Sequence, residues 1–221
     1  MRFHLGAIPE APEFRPEPPW RPLREPTPWV MQLLAVPIGI ATAAGVAVLW
    51  ILTTPLGEVA MKWSASAFLL SFAGLIVVHE LIHAAVHPLQ GRSPHSILGF
   101  WPSRILFYAA YTGELTRNRF IAILLMPLVV ISFVPLMVAA ALQLTSAWMA
   151  FVSAFNALLA CGDIFGAGLV WWQVPATAIV RNQGWRTYWR EETASAEPSS
   201  PPNGGASASV DNHTVPVVRQ R

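Results

Sequence analysis

The chain has 221 residues, 54% of them hydrophobic and only 12% charged, about half the charged share of ordinary soluble domains, and that balance excludes a soluble globular protein. The formal net charge is +2 and the single lysine is Lys62, the other basic residues being arginines scattered through loops and tails; without a basic run or stripe, no nucleic-acid partner is expected. One cysteine, Cys161, excludes both an intrachain disulfide framework and a cysteine zinc finger.

Residues 1–28 carry prolines at 9, 12, 16, 18, 19, 22, 26 and 28, with charges of both signs. No apolar run follows the basic start, as a signal peptide would require. The composition predicts an extended, solvated arm. The first predicted span follows at 29–53, long enough to cross a hydrocarbon core that takes about 20 helical residues.

The second predicted span, 64–87, contains His79-Glu80-Leu81-Ile82-His83. Between Trp63 and Gly91, Glu80 is the sole formally charged residue and His79, His83 and His87 are the sole histidines. Helical residues four apart share a face, about 6 Å apart along the axis. Two imidazoles at that spacing suit one Zn²⁺, with the intervening Glu facing the attacking water. Ionisable residues inside a bilayer are costly, so they point to function. His87 repeats the interval but lies about 12 Å along the axis from His79, too far for the same ion; an interfacial or cap-like role ahead of Pro88 is expected.

The segment 87–119 is too long for a plain connector. Residues 96–101 and 104–111, on either side of Pro102-Ser103, predict two short strands around a turn, a hairpin to which an extended substrate segment could add as a further strand. Thr116 is the predicted N-cap of a third span at 120–142. Pro127 and Pro135 predict kinks there, tolerable where neighbouring helices satisfy the freed carbonyls.

The fourth predicted span covers 147–172. From Phe120 to Val180 the sole formally charged residue is Asp163, and an unpaired carboxylate in lipid is strongly disfavoured. The second and fourth spans run in the same direction. His79 and His83 lie 15 and 19 residues after Ser64, and Asp163 lies 16 after Ala147, so all three are expected at one depth. A zinc held by His79, His83 and Asp163 keeps a fourth position open for water. Gly162 and Gly166 form a small-residue pair that predicts close approach of this helix. Asn156, two turns before Asp163, is a candidate donor to the tetrahedral oxyanion; a plain interhelical hydrogen bond is the other reading. Cys161 points to a different face from Asp163 and reads as a packing residue.

Basic residues number four in the arm, one, four and none in the three connections, and three in the C-terminal segment through Arg190. This alternation fits the positive-inside rule with both termini in the cytoplasm of a cell-membrane protein. The expected fold is an all-α membrane protein, a bundle of four transmembrane helices with a small β-hairpin-like insertion between the second and third. The expected divisions are an arm at 1–28, a membrane domain at 29–190 and a disordered Ser/Pro/Gly-rich cytoplasmic tail at 191–221.

These residues carry a family resemblance. The chain resembles the putative zincin peptidases, a bacterial membrane family related in layout to site-2 proteases, from about Val77 to Glu191. The matching features are Val78-His79-Glu80-Leu81-Ile82-His83, then Thr116-Arg117-Asn118-Arg119-Phe120 with Pro127, and Asn156 followed by Gly162-Asp163. The resemblance implies a metal held by His79, His83 and Asp163, with Glu80 as catalytic acid/base. In site-2 proteases the acidic ligand precedes a glycine within an Asn- and Pro-containing segment; here Gly162 precedes Asp163 and no proline lies between Asn156 and Asp163. The expected function is a zinc metallopeptidase cutting a membrane-associated polypeptide. A non-catalytic zinc-binding regulator or scaffold, or a metal transporter, are the alternatives.

Overall fold

The computed structural model describes residues 1–54 and 64–192. The first connection, with Lys62 and Trp63, and nearly all of the expected disordered tail lie outside the described residues.

Six α-helices and seven strands are found among the described residues. Helix α1 (Pro28–Thr53) opens on a proline, which loses nothing at a first turn whose N–H groups have no partner anyway. Helix α2 (Ala65–Val86) is capped by Ser64, whose hydroxyl accepts from the Ala67 N–H at 3.4 Å. Helix α3 (Arg117–Pro127) is capped as expected by Thr116, which accepts from the Arg119 N–H at 3.3 Å. A π-helical stretch, Leu128–Phe133, carries it into α4 (Val134–Leu142). Helices α5 (Ala147–Leu159) and α6 (Cys161–Gln173) complete the set. Three helices are long and apolar enough to cross a membrane, or up to four if the bent pair α5–α6 is one span. Leu69, Leu70, Val77 and Val78 of α2 are exposed along its outer side, as a lipid-facing surface requires.

The fourth span is not the single rod expected from sequence. It breaks at Ala160 with a bend of 49°. The glycine just beyond the break, Gly162, is a weak helix former. Close approach is not at Gly162 or Gly166 either: a Cβ at Gly162 would meet nothing within 4 Å, and one at Gly166 only ordinary contacts. The tight crossing is at Gly39 of α1, where a Cβ would fall 2.7 Å from the Leu158 carbonyl oxygen and from Cys161 Cβ. There α1 lies directly over the break, and Cys161 packs against it.

The expectation of an all-α chain is corrected by two sheets. Strands β3 (Ser96–Trp101) and β4 (Leu106–Tyr111) form the anticipated antiparallel hairpin, but β1 (Arg2–Leu5) joins β3 in parallel. The second sheet has the order β2-β7-β6-β5, with β2 (Arg21–Pro22), β5 (Leu115–Thr116), β6 (Ala178–Gln183) and β7 (Arg186–Glu191). Gly184 supplies the positive φ of the tight β6–β7 turn. The proline-rich arm is therefore docked through part of its length, while most of its residues stay exposed. Ala11, Phe14 and Leu23 are buried, and the Ala11 N–H donates to the Gln183 side chain at 3.0 Å. Prolines leave an extended backbone with few hydrogen-bonding choices, and Pro22 lies in β2, an edge strand of the second sheet.

These pairings join the N-terminal segment, the α2–α3 segment and the segment after α6 at one end of the helices. They are the three segments richest in arginine. Two cores support the arrangement. Val46, Trp50, Leu128, Leu136 and Ala157 pack between α1, α4 and α5. Leu23, Val170, Val174 and Val180 tie the arm and second sheet to α6.

Candidate metal centre

Helix α2 presents His79 and His83 on one buried face, and the break in the fourth span places Asp163 in the first turn of α6. A carboxylate there is favoured by the unpaired N–H groups of a helix start. The His79 and His83 Nε2 atoms lie 3.0 and 3.3 Å from the same oxygen, Asp163 Oδ2. The depth match between the spans is thus a direct contact. Ligand-type atoms of His79, Glu80 and His83 all lie within 4.8 Å of one another.

The outer hydrogen bonds fix which nitrogen faces the cluster. Asn156, fully buried, donates through Nδ2 to the Pro127 carbonyl at 3.0 Å and to Ser132 Oγ at 2.9 Å. A carbonyl only accepts, so the amide orientation is determined and Oδ1 faces His79 Nδ1 at 2.9 Å. His79 therefore carries its proton on Nδ1. His83 Nδ1 likewise donates to the Ile123 carbonyl at 2.7 Å. In neutral form both rings aim a bare Nε2 at Asp163.

The acceptor for His83 comes from a proline. Ile123 O would ordinarily accept from the N–H four residues on, which is Pro127 and has none. The second proline is treated alike: Ile131 O, four residues before Pro135, accepts from Ser153 Oγ at 3.3 Å. Ser132 Oγ in turn donates to Ser153 O at 2.7 Å. The π-helical stretch lies between these two prolines, and such irregular turns recur at functional sites.

The donor set fits zinc. A tetrahedron with arms of about 2.0–2.1 Å has edges near 3.4 Å, close to the separations of Asp163 Oδ2 from the two nitrogens. Histidine ligands characteristically donate their other N–H to a carbonyl or carboxylate, as both do here. Glu80 is half-buried, with its carboxylate against the Ala109 backbone of β4. Glu80, His83 and Asp163 line the inner end of a cavity of about 660 Å³, whose wall includes β4 residues Leu106 to Ala110.

The remaining residues singled out in the sequence fall elsewhere. Asn156 spends both amide hydrogens inside the helices, so the interhelical bond weighed beside the oxyanion role is the one present. His87 is the C-cap of α2, buried, bonded to Ser96 Oγ at 3.2 Å and set against the Tyr111 ring; it stands apart from the cluster. Ser132 and Ser153 were not anticipated. Their signal is that each is a lone hydroxyl in an apolar run, close to a proline or facing one.

Fold and cluster together define a class: a mostly helical protein with helices fit for a membrane and a zincin-type His-Glu-x-x-His constellation. Residues 72–179, a little under half of the chain, match the family described as "Putative zincin peptidase". Family and His-Glu-His group both point to a peptidase. No curated protein and no solved structure matches the chain.

Proposed function

We propose that this chain is a membrane-embedded zinc metallopeptidase that hydrolyses peptide bonds of a membrane-associated polypeptide. One observation carries the reading: two Nδ1-protonated histidines and a helix-start carboxylate converge beside Glu80 at the inner end of a cavity. His79, His83 and Asp163 would hold the metal. Zinc held there would supply Lewis-acid chemistry for the scissile carbonyl and the attacking water.

The chain's own groups do the rest. Glu80 takes the proton of the attacking water and passes it to the leaving amide nitrogen. Asn156 and the Ile123 carbonyl hold the two rings in register, so the site is preorganised before substrate arrives. Strand β4 is an edge of its sheet, in the order β1-β3-β4, and lines the cavity. An extended substrate segment adds to that edge, with its backbone drawn past Glu80. The sheets face the cytoplasm, by the arginine alternation.

Glu80→Gln tests this reading. The purified full-length variant in lipid nanodiscs should keep stoichiometric zinc while cleavage falls by about 10²–10⁴-fold. Comparing membrane proteomes of cells carrying the parent or the variant identifies the polypeptides cut. Unchanged processing in the variant would sink peptidase action, and zinc flux through vesicles independent of Glu80 would favour transport.

A further inference from the structure

The cavity has a second polar end. Away from the metal centre it is lined by Leu23, Glu25, Asn182, Trp185 and Thr187, where the arm meets the β6–β7 hairpin. The Leu23 N–H donates to the Thr187 carbonyl at 2.9 Å, and the Thr187 N–H donates to the Glu25 carboxylate at 3.2 Å. The Thr187 hydroxyl bonds the same carboxylate, so Thr187 fixes it in place through side chain and backbone. A carboxylate has about four acceptor positions, so capacity remains toward the cavity.

No cation among the described residues uses it. Among the described residues, no arginine or lysine lies within ion-pair distance of Glu25, whereas Glu13, Glu114 and Glu191 each have an arginine partner. Arg186 acts on Glu25 only at longer range from the exposed side of the hairpin. Arg104, the arginine that lines the same cavity, has its guanidinium over the Trp101 ring at 5.6 Å. Burial pushes the Glu25 carboxyl up to about 7, and an arriving cation would favour its charged form.

The distance to the metal centre follows from helix α6. Gln173, at its C-terminal end, accepts from the Arg24 N–H at 3.0 Å and donates to the Arg24 carbonyl at 3.2 Å. Ten residues separate Asp163 from Gln173, so Glu25 lies on the order of 15 Å from the cluster along the helix. An extended chain covers that in about four or five residues.

We infer that Glu25 is a specificity-determining residue, whose carboxylate receives a lysine or arginine of the substrate about four or five residues from the bond that is cut. The inference rests on the peptidase reading above and names its substrate class: a polypeptide with an apolar span followed by a basic residue on the side where the sheets lie. Charge supports it. Membrane proteins concentrate lysine and arginine beside their spans on one face of the bilayer, and this chain's own arginines gather at the end of the helices where Glu25 sits.

The experiment measures binding without turnover. Full-length Glu80→Gln protein in nanodiscs is titrated against fluorescent synthetic peptides, each an apolar span followed four or five residues on by Arg, Gln or Glu, with empty nanodiscs as the blank. The Arg peptide should bind about tenfold tighter than the Gln peptide. Adding Glu25→Gln, which keeps the Thr187 bond through its amide oxygen, should abolish the difference, and Glu25→Lys should shift preference to the Glu peptide. An Arg-to-Gln ratio near one in the Glu80→Gln protein, a ratio that survives Glu25→Gln, or no binding of any peptide overturns the inference. Failure of the peptidase reading shows separately, as no cleavage of any peptide by zinc-loaded protein with Glu80 intact.

Discussion

The two ends of the cavity are built on opposite plans. At the inner end the Nδ1–H groups of His79 and His83 and both amide hydrogens of Asn156 are engaged, by an amide oxygen, a carbonyl or a hydroxyl. The outer end is made by strands and the arm, and Glu25 there is held by Thr187 alone, with no ion-pair partner among the described residues. A fully satisfied network holds its members in one geometry, which suits a metal centre. A partly satisfied one keeps capacity for a ligand. The contrast separates where chemistry is proposed from where recognition is proposed.

The sharpest way to break that contrast is to remove a ligand from the inner end. Asp163→Ala should leave two protein ligands and lose stoichiometric zinc, read by metal analysis of the purified protein; full zinc occupancy would overturn the ligand set. A milder change removes only the orienting bond. Asn156→Ala leaves the His79 Nδ1–H, the Pro127 carbonyl and Ser132 without their partner, and zinc affinity should fall about 10–100-fold in a competing-chelator titration. An unaltered affinity would mean that the inner network is packing alone.

The smallest effect is expected at the outer end. Burial raises the Glu25 pKa from the ordinary 4.5 to about 7, so the folded state binds the proton more tightly than the unfolded one. Its contribution to stability is fully present below pH 4.5 and is lost as pH rises through 7. Between pH 5 and pH 8 the loss should be on the order of 1 kcal/mol after solvent screening, and Glu25→Gln should remove that part of the pH dependence of thermal unfolding. Identical pH profiles for parent and variant would show that Glu25 is ordinarily solvated.

The inner end was largely legible in the sequence because charge is scarce there. Glu80 and Asp163 stand out in apolar runs, and residue counting along parallel spans brought Asp163 to His79 and His83. The β3–β4 hairpin was legible from its own pattern. The break at Ala160 was not, because Gly162 alone does not separate a bent span from a straight one. Strands β1 and β2 were illegible for a different reason: each is short and pairs with residues roughly 95 to 170 positions away. The β6–β7 hairpin has a local signal in Gln183-Gly184 between β-forming residues, weaker than the signal of the apolar spans. Glu25 gained its importance only from that long-range closure.

Pro127 gives the helix pair an unusual dependence on an atom that is missing. Substituting alanine would return an amide hydrogen to the chain, and that hydrogen would compete with the His83 ring for the Ile123 carbonyl. The ring would then lose its sole claim on the acceptor that sets its tautomer. A residue normally regarded as a disturbance to a helix here protects a histidine from its own backbone.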